Sequence, residues 1–584
     1  MILQALNRYY ERSENLPREG WVRRGVDYVV VLNEQGICVN LEALGEQKKG
    51  KAIPSERLVT AIGKQAMKHT NSGKDANLLW DNASFVFGTG NKGATKLASF
   101  IDTLQAWLGD ELQDPGVAAV RTFCMNLQSH PEATGDLIER FRVKEDFEKR
   151  DPVLIFRLVS DMESVHQRPA VRNAYESALA ASRTQSDLRG NCLVTGQTDV
   201  PLALNESVIK GMWGEQPAGC NIVSFNARAF ESYGKRERNG ENAPVSVQAS
   251  FAYTTALNHL LASKQRIQVG DSSTVFWAEE AHELENAMVD LFGDPPKDNP
   301  DKNTDAIKAL YAAIASGQFS VGGMDTRFHV LGLAPNAARI SIRFWETATA
   351  ADLAKRIAQH FDDIAIAHAP HDPAHLSLFR LLTGVALLNK ADNIPPNLGG
   401  DVLRAILEGL PYPATLLNLA VQRSRAEQKP TYARAAAIKA SLNRFIRSRN
   451  SPEKEFLPML DPDNTNPGYR LGRLFAVLEK IQEDASPGLN ATIRDRYYGA
   501  ASSTPAAVFS TLLRLSKHHL GKLPTGLAIS RERLVGEIMN GFDAATFPPR
   551  VLPLTDQARF ALGYYHQRQA FFTKSESKIQ EQTP

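Results

Sequence analysis

Strand-like apolar patterns stop near Thr347, and that break limits the fold more than any other feature of the 584 residues. Before it, VDYVVVLNEQGICVNL (Val26 to Leu41) reads as two β-rich runs around a turn at Asn33 to Gly36, with branched side chains that favour a pleated surface. RFHVLGLAP and RISIRFWE read as a second antiparallel pair, with Pro335 and Asn336 supplying the turn. Between them, Leu58, Val59, Ile62 and Ala66 predict a helix over Glu56 to Lys68. After the break, helical spacing governs Ala351 to Phe361 and then a Leu-, Ala- and Arg-rich stretch up to Asn450. The expected class is α+β: a mixed antiparallel-sheet N-terminal region (1–350), a basic helical region (351–458) and a C-terminal four-helix bundle (459–584).

The last boundary rests on SPEKEFLPMLDPDNTNPG, where four prolines and several turn formers gather before a helix start. Asn466 followed by Pro467 is an N-cap with proline at the first helical position, and Leu471, Leu474, Phe475, Leu478 and Ile481 make one apolar face. Patterns over Pro505 to His519, Arg531 to Asn540 and Thr555 to Phe572 complete the bundle, which is expected to fold alone. The N-terminal residues lack an apolar signal core and no apolar run is long enough to span a bilayer, so a cytoplasmic location is expected. Cys38, Cys124, Cys192 and Cys220 are too widely spaced for a zinc ribbon and fit reduced, buried thiols.

Motifs that carry chemistry fail on detail. Gly88, Gly90 and Gly93 form GTGNKG, but Ala94 stands where a phosphate loop places its lysine, and no βαβ unit surrounds the run. His368, His371 and His375 lie in a segment broken by Pro370 and Pro373, which defines a tetrahedral metal site poorly. DPDNTNPG resembles a calcium loop only superficially, because Gly472 falls where a bidentate glutamate closes such a site. No catalytic residue, metal or cofactor is therefore expected, although a metal-dependent nuclease with a site assembled from scattered carboxylates and histidines is a competing reading.

Charge points elsewhere. The 67 basic and 65 acidic residues nearly cancel, so an electropositive surface has to come from clustering. Gln422 to Asn450 carries Arg423, Arg425, Lys429, Arg434, Lys439, Arg444, Arg447 and Arg449 against one acid, Glu427, a density that favours phosphate contacts. The loops KHTNSGKDAN and IKGMWGEQPAG hold amides, lysines and glycines able to approach a groove.

The ordered set MILQAL, YYER, LLWDNASFVFG, CLVTG, IKGMWG, VSFNARAFESYG, NAPVS, ALNHLL and VFWAE, continued by NPGYRLGRLFAVLEKIQ, DRYYGAASSTPAAVF and LLRLSKHHLGKL, resembles the large subunit of the type I-C CRISPR surveillance complex, Cascade. The resemblance implies a non-catalytic subunit beside the guide RNA 5′ handle, which reads the protospacer-adjacent motif in duplex DNA and helps to open it. Implied partners are the duplex target and its displaced strand, the Cascade backbone and small subunits, and the helicase-nuclease. On that reading Asn71, Ser72, Lys74 and Asn77, then Lys210, Gln216 and Asn226, read or clamp the motif. Lys48, Lys49, Lys51, Lys235, Arg236 and Arg238 track phosphates, as do Arg423, Arg425, Arg434, Lys439, Arg444 and Arg447. Trp80 and Phe85 are expected to anchor the core. The family also makes its small subunit by internal initiation, which marks Met459 as a candidate start for a separate Met459 to Pro584 product.

Overall fold

The computed structural model describes the chain except for residues 49–50, 63–74, 110, 185–187, 226–227, 236–238, 270, 294–301, 317–325, 544–546 and 581–584. It forms two compact units, residues 1–209 with 221–259, and residues 210–220 with 260–584.

In the first unit, helix α1 (Ile2–Arg12) leads into β1 (Trp21–Val26), β2 (Tyr28–Leu32), β3 (Cys38–Ala43), β4 (Glu46–Lys48), β5 (Lys51–Ile53), β6 (Ser55–Thr60) and β7 (Trp80–Asn82). The helices α2 (Ala83–Val86), α3 (Gly93–Leu108), α4 (Pro115–Ser129), α5 (Glu132–Phe141) and α6 (Lys144–Arg150) follow. Strand β8 (Val153–Leu158) and α7 (Pro169–Thr184) come next, then the two-residue strands β9 (Arg189–Gly190) and β10 (Val200–Pro201), and α8 (Val247–Ala262), whose last turn from Leu260 counts with the second unit.

The hairpin expected around Asn33 is β2 and β3, with the Asn33 side chain accepting from the Ile37 amide at 2.8 Å and Gly36 in the left-handed region at φ +73°. β2 also pairs in parallel with β8, giving a sheet of order β3-β2-β8-β7. Alternation places Val30, Leu32, Leu154 and Phe156 against Phe100, Leu104 and Phe123 of α3 and α4, while Val29, Val31 and Ile155 meet Val59 and Trp80 on the other face. A sheet covered on both faces explains an unbroken run such as YVVVL; each such large side chain contributes about 1.5–3 kcal/mol on burial. Trp80 and Phe85 are core anchors, 4% and 3% exposed, and the Trp80 indole donates to the Thr60 carbonyl at 2.7 Å.

The helix expected from Glu56 is instead strand β6 up to Thr60, antiparallel to β1 from Trp21↔Thr60 to Val26↔Ser55. Leu58 packs toward one core and Val59 toward the other, an opposition that strand geometry provides for adjacent residues. The rest of that predicted helix, from residue 63, lies outside the described residues.

The second unit begins with an antiparallel meander, β11 (Arg266–Val269), β12 (Ser272–Ala278), β13 (Arg327–Asn336) and β14 (Arg339–Thr349), interrupted by α9 (Leu284–Phe292) and α10 (Lys302–Ala315). β13 and β14 are the second predicted pair, joined at Asn336↔Arg339. Helices α11 (Ala350–Ile364), α12 (Leu378–Val385), α13 (Leu398–Glu408), α14 (Ala414–Ala426) and α15 (Tyr432–Ser448) follow. Phe276, Phe328 and Val330 of the meander share one apolar core with Leu353, Ile357 and Val402, so this sheet belongs with the helices that follow it. The sequence pattern predicts a boundary at 350, whereas the compact units divide at 209 and 259.

The C-terminal helices are α16 (Pro467–Ala485), α17 (Ile493–Ser503), α18 (Phe509–Leu520), α19 (Thr525–Met539) and α20 (Leu554–Gln580), one more than expected. Asn466 caps α16, accepting from Gly468 and Tyr469 amides at 2.9 and 3.2 Å, which is the role read for DPDNTNPG. Gly472 and Gly563 let α16 and α20 approach backbone to backbone: a Cβ at either would lie 2.0 or 2.1 Å from a carbonyl oxygen of the other helix. α20 also packs against the preceding helical region, with Ala558, Leu562 and Tyr565 in the same core as α11 to α15, and the Tyr565 hydroxyl donating to the Ala367 carbonyl at 2.9 Å.

Candidate nucleic-acid interface

Most of the basic stretch is structural. Helix α15 has no solvent face from Arg434 to Arg444. Arg434, Lys439 and Arg444 are 0%, 2% and 4% exposed, and each reaches the carboxyl end of a neighbouring helix. Arg434 Nε donates to the Gly384 carbonyl of α12 at 2.9 Å while Nη1 pairs with Glu427 at 2.6 Å. Lys439 Nζ donates to Asp362 and Asp363 carbonyls in the last turn of α11, at 3.2 and 2.8 Å. Arg444 donates to Ala405 and Leu410 carbonyls at the end of α13, both at 2.8 Å, and pairs with the buried Asp363 carboxylate at 2.6 Å. Helix ends leave carbonyls without intrahelical partners and carry partial negative charge, so a cation there satisfies both. These three residues are withdrawn from the phosphate-binding set, because their charged groups are buried inside the core and out of reach of a strand.

Burial pulls the Lys439 ammonium down to about 8, which shows how costly its charge is even in this setting. Arg423 pairs with Glu427 at 2.7 Å, and Arg447 with Asp363 and Glu455, each at 2.7 Å. Hydrogen bonding from Arg434 holds Glu427 below the usual carboxylate range, and Arg447 does the same for Glu455. Arg425, Lys429 and Arg449 stay on the surface; Arg425 donates to Gln557 at 3.2 Å and Arg449 lies over the Phe445 ring.

The polar loops are less cohesive than their composition suggests. Asn77 is half-buried; its backbone and side-chain amides both donate to Asp81 Oδ2, at 2.7 and 3.1 Å, and its buried Oδ1 has no hydrogen-bond partner among the described residues. Burial raises the Asp81 carboxyl to about 6. Gln216 closes its own turn through Gly219 at 2.9 Å, and Lys235 caps the Glu241 carbonyl at 2.8 Å. Lys48 and Lys51 are register partners in the antiparallel pair β4 and β5. Lys210 and Gln216 belong to the second unit, and Asn77, Lys48, Lys51 and Lys235 to the first. Asn71, Ser72, Lys74, Asn226, Lys49, Arg236 and Arg238 lie outside the described residues.

One basic surface escaped the sequence reading. Arg514, His518 and Lys522 recur every four residues along α18 and just beyond it, all exposed, and no carboxylate among the described residues pairs with Arg514 or Lys522. Their spacing in LLRLSKHHLGKL was the available signal. No group of three or more His, Cys, Asp or Glu side chains able to hold a metal occurs among the described residues. All four cysteines are buried free thiols, and no described helix is long and apolar enough to cross a membrane.

No curated protein matches the chain. Residues 6–572 match the family model described as CRISPR-associated protein (Cas_Csd1), which spans nearly the whole chain and both compact units. The protein is a member of the CRISPR-associated Cas_Csd1 family.

Proposed function

We propose that this chain is the large, non-catalytic subunit of a type I-C CRISPR RNA-guided surveillance complex. In that role it recognises the protospacer-adjacent motif in duplex DNA, aids unwinding, stabilises the R-loop and supports recruitment of the helicase-nuclease. The family match over residues 6–572 carries the reading, because it covers the ordered motif set from YYER onward rather than one domain. In RNA-guided recognition base pairing reads the target and protein reads only the short adjacent motif, so a large subunit needs polar loops and cationic surfaces rather than a reaction centre. The motif-reading role falls to Asn71, Ser72, Lys74 and Asn77, then to Lys210, Gln216 and Asn226. Arg425, with Lys429, Arg449 and the α18 stripe, supplies exposed cations for the phosphate backbone. A separate Met459 to Pro584 product is part of the proposal; it would uncover Ala558, Leu562 and Tyr565 and so require a partner surface.

The test is binding of the assembled complex to duplexes with randomised motif positions. Asn71→Ala is expected to erase motif preference, whereas Lys74→Ala weakens all duplexes alike and lowers the salt slope by about one. Unchanged preference and affinity in both variants would remove the first loop from the motif site. Purified chain with DNA and Mg²⁺ or Mn²⁺ is expected to leave the DNA intact; cleavage lost on a single carboxylate substitution would overturn the non-catalytic role.

A further inference from the structure

The GTGNKG run lacks both nucleotide-binding fingerprints, yet the fold places it at the mouth of a built cavity in the first unit. It connects α2 to α3, a 16-residue helix that starts at Gly93. Lys92 stands at the N-cap with φ +61°, no side chain caps the helix, and its first turn holds no acid. Lys96 follows at the fourth helical position. Two lysines at an uncapped amino end oppose the helix dipole, where a cap or carboxylate would normally sit.

Beside this helix end lies a cavity of about 540 Å³, the size range of small-molecule sites. Its buried charged group is Lys96, 7% exposed. The Lys96 ammonium donates to Ser84 Oγ at 3.0 Å and faces the Phe85 ring at 5.3 Å. Among the described residues no carboxylate comes within 4.0 Å of it. Asp151, the nearest acid through the network, is engaged by the Ser84 amide and hydroxyl, each at 2.7 Å. An ammonium has three donors, of which Ser84 Oγ takes one, and Lys96 lines the cavity, where acceptors of a ligand can take the others. Ile138 and Phe147 form an apolar side of the cavity, and the exposed Glu139, Lys144 and Glu148 stand on α5 and α6 around it.

We propose that this cavity binds a phosphate monoester of nucleotide size, namely a nucleoside monophosphate unit, either free or as the phosphorylated end of a strand. The phosphate lies at the amino end of α3 within reach of Lys96, satisfying the ammonium and the helix together. The organic body packs on Ile138 and Phe147. Glu139 and Glu148 accept from hydroxyl or amino groups of the ligand and disfavour a bare polyanion. None of the residues assigned to DNA motif reading takes part, so the site stands or falls separately from that role.

Titration calorimetry on the full chain tests it, with inorganic phosphate, an equimolar set of nucleoside 5′-monophosphates, and a dinucleotide with and without its 5′-phosphate. Saturable binding of the monophosphates is expected, at least tenfold tighter than inorganic phosphate. Lys96→Met should weaken it tenfold or more. Ala94→Glu, which puts a carboxylate on an exposed position of the same helix end, should do likewise while the chain melts no lower than wild type. A phosphorylated dinucleotide binding as tightly as the mononucleotides identifies a strand end; binding confined to mononucleotides identifies a free nucleotide. The proposal is overturned if no probe saturates at about 1 mM, an affinity near the weakest of interest. It also fails if the unphosphorylated dinucleotide binds as well as the phosphorylated one, or if both variants bind like wild type.

Discussion

Lys439 and Lys96 are both buried, 2% and 7% exposed, but Lys439 reaches two carbonyls at the negative end of α11 while Lys96 sits at the positive end of its own helix with one hydroxyl. In the first arrangement two carbonyls, the helix dipole and the neighbouring Asp363 all favour a cation and offset part of the cost of its burial. The second has one hydroxyl acceptor and runs against the dipole. Burial of a basic residue therefore does not separate architecture from ligand binding; the helix end it faces and the acceptors it finds do. By that criterion α15 is a hub that ties down three helix ends, and the amino end of α3 is the place where a buried cation lines a cavity.

The largest effect should come from Asp363, whose carboxylate is 1% exposed and holds both Arg444 and Arg447. Asp363→Ala strands a buried guanidinium, and a loss of about 3–5 kcal/mol is expected in urea melts, as for breaking other buried ion pairs. A cost below about 1 kcal/mol, typical of an exposed pair, would mean that α15 is not the hub inferred here.

Lys439 gives a smaller, pH-dependent effect. Its folded value near 8 lies below the ordinary lysine value of 10.5, so the unfolded chain holds more protons between those limits and stability rises with pH there. The cost of the buried charge is fully present below pH 8 and is relieved by about pH 10.5. Wild type should therefore gain on Lys439→Met across that window, by at most roughly 3 kcal/mol. A flat difference between the two melts from pH 8 to 10.5 would place the Lys439 ammonium in water.

Sequence reached the local elements whose causes are local. The valines of β2, the Asn33 turn and the Asn466–Pro467 cap form as read, because each depends on residues within a few positions. Strand β6 did not, since Leu58 and Val59 are drawn to two different cores that a spacing rule cannot see. The α15 cations were misread for a related reason: Glu427 is near in sequence, but Asp363 lies 81 residues before Arg444, and the carbonyls they cap belong to three other helices. A warning was present in ARAAAIKASLN, whose alanines leave no polar face for solvent to favour. At the other site the glycines of GTGNKG are legible in the sequence, yet the lysine that lines the cavity is Lys96, three residues beyond the motif, and only the fold brings it onto Ser84, which in turn holds Asp151.

The smallest predicted effect is the sharpest test of the comparison. A glutamate at position 94 lies in the first turn of α3, exposed, where a negative charge complements the helix dipole by about 0.3–1 kcal/mol and also neutralises part of the Lys92 and Lys96 field. In ligand-free buffer of low ionic strength, Ala94→Glu should therefore raise the melting temperature slightly, and added salt should shrink the gain. Saturating nucleoside monophosphate should reverse the order, because only wild type gains the binding free energy of a ligand that prefers the folded state. Were Ala94→Glu to destabilise the chain without ligand, the amino end of α3 would already be electrostatically satisfied, and the contrast with Lys439 would dissolve.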